Sequence, residues 1–183
     1  MPNNLINPNF DEHGFIQIYT GNGKGKTTAA FGLTLRAIGH GWKVLILQFM
    51  KASDAWQYGE ALSVVKYPEN IEIKQFGFNK IGKFTKEDEI HLLNGWNYAK
   101  TCINQESGYK MIILDELNHL IHQNIISVDE VIKVLKNKTE NMEIVITGRH
   151  AHPKLIEIAD LITTMQPTKH YYPKVKARCG IEY

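Results

Sequence analysis

Arginine is scarce in this sequence: Arg36, Arg149 and Arg178 are all it contains. Phosphoryl-transfer kinases usually spread transition-state charge over several arginines, so a small-molecule kinase reading is weak. Cysteine is equally sparse, with only Cys102 and Cys179, far apart and outside any CxxC. That excludes a disulfide framework and suits a reducing cytosol. Charge of one sign is lacking too: 21 Lys and Arg against 19 Asp and Glu leave a net charge of +2. The only basic cluster is Lys169, Lys174, Lys176 and Arg178, so bulk electrostatics does not imply a nucleic-acid partner. No apolar run approaches the ~20 residues needed to span a bilayer. The polar stretch 1–9 has no apolar core of a secretory signal, so a cytoplasmic protein without a membrane partner is expected. A guanine-reading Asn-Lys-x-Asp is also missing. Asn137-Lys138-Thr139-Glu140 approximates it but follows a helix pattern instead of a buried strand, which weakens a GTPase reading.

At 183 residues, with 43% hydrophobic and 22% charged residues, the chain suits one globular domain with a sizeable core. The expected organisation is a flexible N-terminal segment over 1–13 and a single domain over 14–183. Its most informative stretch is Thr20-Gly-Asn-Gly-Lys-Gly-Lys-Thr-Thr28. The apolar run Phe15-Ile-Gln-Ile-Tyr19 precedes it and Ala29-Ala-Phe-Gly-Leu33 follows, giving the strand–loop–helix context that a phosphate-binding loop requires. Gly21, Gly23 and Gly25 are expected to take φ > 0 and to bring backbone N–H groups close to an anion. The helix N-terminus adds its partial positive charge. Lys26 would reach phosphate oxygens and the Thr27 hydroxyl a bound Mg²⁺, with Asn22, Lys24 and Thr28 completing the loop's contacts. Thr20 departs from the usual pattern, standing where GxxxxGK[ST] has its first glycine.

Further on, Met111-Ile-Ile-Leu-Asp-Glu116 places two carboxylates after four apolar residues. At the end of a buried strand this reads as a Walker B element, with Asp115 and Glu116 organising Mg²⁺ directly or through water. The candidate catalytic residues are Lys26, Thr27 and Glu116, and the candidate metal ligands are Thr27, Asp115 and Glu116. Apolar runs predict strands over 15–20, 43–49, 71–76, 111–116, 143–147 and 161–165. Helix-period segments cover 26–38, 86–105, 127–136 and 153–159. Ser127 with Glu130 reads as a capping box, and Gly39 and Gly41 end the first helix. Most of the strands are apolar on both faces, so the pattern predicts an α/β fold with a mainly parallel sheet and helices on both faces. The stretch 77–85 reads as a loop at the sheet edge. His119-x-x-His122 and His150-Ala-His152 lack a third ligand at a spacing that suits zinc.

With these pieces in view, the chain resembles the corrinoid adenosyltransferases of the CobA/BtuR/CobO type, the ATP:cob(I)alamin adenosyltransferases. The loop carries the resemblance together with Gly39-His-Gly41, Gln48-Phe-Met-Lys51, Leu114-Asp-Glu-Leu117 and Ile146-Thr-Gly-Arg149. Ala159-Asp160, Pro167-Thr-Lys-His170 and Gly180-Ile-Glu-Tyr183 continue it. It implies a RecA-like P-loop NTPase fold and a homodimer. The substrates it implies are Mg²⁺-bound ATP and a reduced corrinoid or cobalamin, with a flavodoxin-like or flavin reductant as partner. In the implied reaction the 5′-deoxyadenosyl group of ATP passes to Co(I) and triphosphate leaves. The nucleotide would lie reversed relative to ordinary P-loop enzymes. Cobalt is the nucleophile, which fits a sequence offering no evident Ser, Cys or Asp nucleophile.

Gly77-Phe-Asn-Lys80 aligns with a family Gly-Phe-x-Trp segment whose aromatics cover the lower corrin face. Phe78 is therefore a candidate corrin contact, while Lys80 stands where the tryptophan is expected, and Phe84 or Ile81 could substitute for it. Arg149 is a candidate contact to a phosphate or a corrin side chain. Trp42, Trp56 and Trp96 read as core or interface residues. Two other classes of function compete. One is a RecA-type motor ATPase with Glu116 as its base, the other a non-catalytic nucleotide or corrinoid carrier.

Overall fold

The computed structural model describes residues 13–52, 58–78 and 84–183. The expected N-terminal segment, Trp56, Lys80 and Ile81 lie wholly or almost wholly outside these residues. Six strands run β1 (Ile16–Thr20), β2 (Val44–Gln48), β3 (Ile71–Gln75), β4 (Met111–Asp115), β5 (Glu143–Thr147) and β6 (Leu161–Thr164). They form one sheet in the order β3-β2-β4-β5-β1-β6, and every pairing is parallel. The helices are α1 (Lys26–Gly39), α2 (Gly59–Val64), α3 (Lys86–Asn104), α4 (Leu117–His122), α5 (Val128–Lys136) and α6 (Pro153–Ile158).

The period-2 alternation of strand side chains divides the core in two. On one face Leu45, Leu47, Ile112, Leu114, Ile144 and Ile146 pack with Leu92 and Trp96 of α3, Leu120 of α4 and Leu135 of α5. On the other, Val44, Ile46, Met111, Ile113 and Val145 pack with Ala30 and Ala37 of α1 and Val64 of α2. Helices therefore cover both faces, and β2, β4 and β5 are buried throughout. No helix among the described residues is long and apolar enough to cross a membrane.

Two local expectations need correction. Ser127 does precede α5, but its side chain makes no capping bond. The Glu130 carboxylate, which a capping box would turn back to Ser127, instead accepts from Trp96 Nε1 at 3.1 Å and Lys100 Nζ at 2.6 Å on α3. Those tertiary partners outcompete the local one. The capping box lies instead at α3, where the Thr85 hydroxyl accepts from Asp88 N and the Asp88 carboxylate from Thr85 N. The second concerns Gly23, which does not take positive φ, unlike Gly21 (φ 92°) and Gly25 (φ 115°). Its smallness serves a close approach, since a Cβ there would lie 2.9 Å from the Met165 carbonyl.

Candidate active site at the carboxyl rim of the sheet

In a parallel sheet the loops that bind ligands lie beyond the carboxyl ends of the strands. Here the ends of β1, β5 and β4 stand side by side, because β5 is inserted between the strand bearing the phosphate loop and the strand bearing the two carboxylates. Thr20 is still part of β1, in register with Thr164. The turn begins at Gly21, so the extended backbone at position 20 accepts a β-branched residue in place of the usual glycine.

The loop is braced from the neighbouring edge strand. Met165 N donates to Thr20 O at 2.9 Å, and Gly23 N donates to Met165 O at 2.7 Å. The Gly23 N–H, expected to face an anion, is thus committed to the chain leaving β6. Lys26 is buried, and its Nζ donates to Gly21 O at 3.0 Å and Gly23 O at 2.9 Å. The ammonium therefore sits inside the loop, on carbonyls that an incoming phosphate oxygen would replace. Burial pushes its pKa down and Arg149 adds to this, against the opposing pull of Glu116 and Asp115. Lys24, two residues earlier, turns outward to residues 171–182.

Asp115 ends β4 with its carboxylate 1% exposed. Its Oδ1 accepts from Thr27 Oγ1 at 2.8 Å and Thr147 Oγ1 at 2.7 Å. Its Oδ2 accepts from Gln48 Nε2 at 2.9 Å, and Gln48 Oε1 accepts in turn from Gln75 Nε2 at 2.8 Å. One carboxylate thereby ties the phosphate loop to β5 and β2. Glu116 follows in the left-handed region at φ 66°, a conformation that costs a non-glycine residue roughly 1–2 kcal/mol. Its N–H donates to Thr147 Oγ1 at 2.9 Å. Burial first, and repulsion from Asp115 second, push the Glu116 carboxyl above its ordinary range, with Lys26 and Arg149 pulling the other way. Arg149 is exposed just past β5. Because its charge acts on both Lys26 and Glu116, it lies within the same electrostatic neighbourhood.

The structure thus brings Gly21, Gly23, Gly25, Lys26, Thr27, Asp115, Glu116 and Arg149 to one rim. Asn22 lies beside Gly21 at the tip of the loop, and Thr28 opens α1 on the side that faces α2. Phe78 stands further along the rim, beyond edge strand β3. It is half-buried, packed on the larger core and tilted against the His91 ring at 5.3 Å between centroids. Sequence reasoning gave no role to Thr147 or Gln48. Their signal was positional, since each is the polar residue that ends a run of apolar strand residues, Val44–Leu47 in β2 and Ile144–Ile146 in β5, on either side of β4. His119 meets the Phe84 ring edge-on at 6.3 Å, while His122 stacks on His150 at 4.2 Å. Burial, and then the neighbouring His122 and His150, hold the His119 pKa down. Among the described residues, no three His, Cys, Asp or Glu side chains converge as a metal site. Mg²⁺ requires no such cluster, because it keeps several waters and takes one or two carboxylates. The hard-oxygen set of Thr27 Oγ1, Asp115 and Glu116 fits that requirement.

Comparison with known proteins bears directly on this rim. The family model described as ATP:corrinoid adenosyltransferase BtuR/CobO/CobP matches residues 12–183. The chain is similar to a corrinoid adenosyltransferase of Escherichia coli (strain K12), with 36% identity over 174 residues, covering 94% of this chain and 87% of the relative. It is similar also to the corrinoid adenosyltransferase CobA of Salmonella typhimurium, 33% identical over 174 residues with the same coverage of each chain. A corrinoid adenosyltransferase of Sinorhizobium sp is 37% identical over 180 residues, covering 94% of this chain and 82% of that one.

Proposed function

This chain belongs to the ATP:corrinoid adenosyltransferase family, and we propose that the rim formed by Lys26, Thr27, Asp115, Glu116 and Arg149 carries out the family's reaction. The enzyme transfers the 5′-deoxyadenosyl group of ATP to the Co(I) of a reduced corrinoid. The cobalt lone pair forms the Co–C5′ bond as the C5′–O bond breaks. The bonding electrons leave with triphosphate and cobalt becomes formally Co(III). No proton moves, so no side chain acts as general base. The protein's task is to bind, to orient and to stabilise the charge that collects on the leaving triphosphate.

The observation that carries this reading is Asp115. Its bonds from Thr27 and Thr147 hold the phosphate loop and β5 in fixed relation, which fixes Lys26 with respect to Arg149. Lys26 exchanges its bonds to Gly21 O and Gly23 O for phosphate oxygens. Gly21, Asn22, Gly25 and Thr28 line the loop around the triphosphate, and Arg149 places a second cation beside it. Thr27, Asp115 and Glu116 would hold Mg²⁺, which when bound neutralises negative charge on the triphosphate. Glu116, lifted by burial and by Asp115, gains most from a cation at that point. Phe78 is the corrin contact, with His91 beside it and Phe76 against the same His91 ring.

A homodimer and a flavodoxin-like or flavin reductant complete the proposal. The β6 edge, where Leu161 is 45% and Ile162 40% exposed, offers apolar area to a second copy. Two unpaired thiols, Cys102 and Cys179, suit a cytoplasmic enzyme. The test is incubation with ATP, Mg²⁺ and chemically reduced cobalamin. The expected products are adenosylcobalamin, read from its spectrum, and triphosphate. Orthophosphate without a cobalt–carbon product would refute the proposal in favour of a motor ATPase.

A further inference from the structure

The segment leaving β6 does not end its contact with the phosphate loop at Met165. It continues past the loop and returns to it at Lys24. Lys24 Nζ donates to Glu182 Oε1 at 2.6 Å, Ile181 O at 2.8 Å and Tyr171 Oη at 3.2 Å. An ammonium has three donors, and all three are spent on this segment. Glu182 is equally committed. Its Oε1 also accepts from Tyr171 Oη, and its Oε2 accepts from Arg178 N at 2.8 Å and Arg178 Nε at 3.3 Å. Arg178 in turn lies over the Tyr171 ring, 5.1 Å from its centroid. Beyond this knot, Ile181 and Tyr183 reach α2 and close one side of a cavity of about 370 Å³. Thr28 and Phe31 of α1 and Glu60 and Ser63 of α2 form its other walls. The two loop lysines thus have opposite surroundings, with Lys26 inside the loop and Lys24 outside it in a fully bonded ionic knot.

We propose that Lys24 and Glu182 are a latch, with Glu182 a positioning residue that acts through Lys24 to hold residues 165–183 across the nucleotide chamber. The latch sets how fast ATP and triphosphate exchange, and Lys24 is its anchor instead of a phosphate ligand. This rests on the reading of the loop as the ATP site. A carboxylate placed on a phosphate-binding lysine would compete with the triphosphate. A carboxylate placed on an anchor lysine does not.

The two roles give opposite signs for one substitution. Glu182→Gln keeps the shape and weakens the knot. It is expected to speed dissociation of a fluorescent ATP analogue, chased by excess ATP in stopped flow, roughly 1.4- to fivefold, the range of exposed ion pairs converted to a rate ratio. The KM for ATP should rise with it. Lys24→Met should do the same, and the double variant should dissociate no faster than the faster single one, because both break one unit. Tyr171→Phe, which removes one bond while keeping the ring, should shift the rate in the same direction. Slower dissociation or a lower KM in Glu182→Gln would show that the change frees Lys24 for the phosphates, and would overturn the latch. Unchanged rates or strictly additive single effects would overturn it as well. The chase needs no corrinoid, so the two readings fail separately. A wild type that makes adenosylcobalamin but whose variants exchange nucleotide normally sinks the latch alone. A wild type that shows the expected exchange behaviour yet never adenosylates cobalamin sinks the adenosyltransferase reading alone. A wild type that binds no nucleotide overturns both.

Discussion

Replacing Asp115 by Asn changes one atom and a charge, and the structure says what must follow. Asn Oδ1 can still accept from Thr27 and Thr147, which now donate to Asp115 at 2.8 and 2.7 Å. Its Nδ2, however, meets Gln48 Nε2 across the present 2.9 Å bond, donor against donor. Gln48 must rotate its amide, and that sets its Nε2 against Gln75 Nε2, which now donates to Gln48 Oε1 at 2.8 Å. Gln75 must then rotate too. Three bonds to a charged acceptor, at roughly 1.5–3 kcal/mol each, become neutral ones at roughly 0.5–1.5, a loss of about 3–4.5 kcal/mol. Removing the charge that repels Glu116 offsets part of that. A net cost of about 3 kcal/mol lowers Tm by about 6–12 °C for a chain of this size. A thermal melt without nucleotide measures it, and a Mg²⁺ titration of adenosylation should show a raised requirement. Gln75→Ala removes the last link of the relay, so its combination with Asp115→Asn should cost less than the sum of the two. A melt within about 1 °C of wild type, with an unchanged Mg²⁺ requirement, would refute Asp115 as the tie between loop and sheet.

Lys26→Ala removes a charge-assisted contact of roughly 1.5–3 kcal/mol to the leaving triphosphate and should lower kcat/KM at least ten- to a hundredfold; an unchanged ATP dependence would sink the loop assignment. Glu116→Gln should stabilise the protein without ligand by roughly 0.5–2 kcal/mol while impairing turnover. The pH dependence has a definite sign: a carboxyl whose folded pKa is raised contributes stability below the ordinary carboxylate range and loses it as pH rises through the raised value. The Tm gap between Glu116→Gln and wild type should therefore widen from acid to neutral pH, and a constant gap contradicts the assigned burial and repulsion. Phe78→Ala should leave ATP binding intact and keep much of the activity with strongly reduced Co(I), yet lose it when a weak donor must reduce bound Co(II). The spectrum of Co(II)cobalamin bound to wild type and variant decides this, since equal four-coordinate signals in both would make Phe78 an ordinary surface aromatic.

The sheet was legible because β2, β4 and β5 are buried on both faces and so read as uninterrupted apolar runs. The expected strand ends agree with the observed ones to within a residue. Six-residue α2 and α4 were missed, since neither carries a start signal, whereas the equally short α6 has Pro153 in its first turn. Glu116 in the left-handed region is a further reason for the miss at α4. A sequence that runs Asp115-Glu116-Leu117 gives no sign that the chain turns sharply between the first two carboxylates and a helix.

The site divides along the same line. Lys26, Thr27 and Asp115 were legible because a loop, a helix start and a strand end are local patterns. The links between them were not. Thr147 to Asp115 is a contact across 32 residues and Lys24 to Glu182 one across 158, and each depends on strand order. Only when β5 lies between β1 and β4 does a polar residue at its end fall between the loop and the carboxylates. Only when β6 pairs with β1 does the following segment start beside Gly23 and arrive at Lys24.

That strand order also fixes the electrostatics of the rim. Asp115 ends one strand with Glu116 just after it, Lys26 follows the second and Arg149 follows the third between them, so two negative and two positive groups meet, and Lys51, whose charge also reaches Glu116, is itself paired with Glu60. Burial works against the charged forms of both Lys26 and Glu116, and each is partly compensated by the other. A triphosphate entering this balanced set brings several negative charges at once, which Lys26 and Arg149 alone would meet only by releasing the carboxylates they now offset. A cation on the Thr27, Asp115 and Glu116 oxygens would restore the balance, because it would take over the carboxylates and leave the lysine and arginine to the triphosphate. Affinity for ATP should therefore rise steeply with Mg²⁺ in the wild type and only weakly in Asp115→Asn. Equal dependence in the two would place the cation elsewhere.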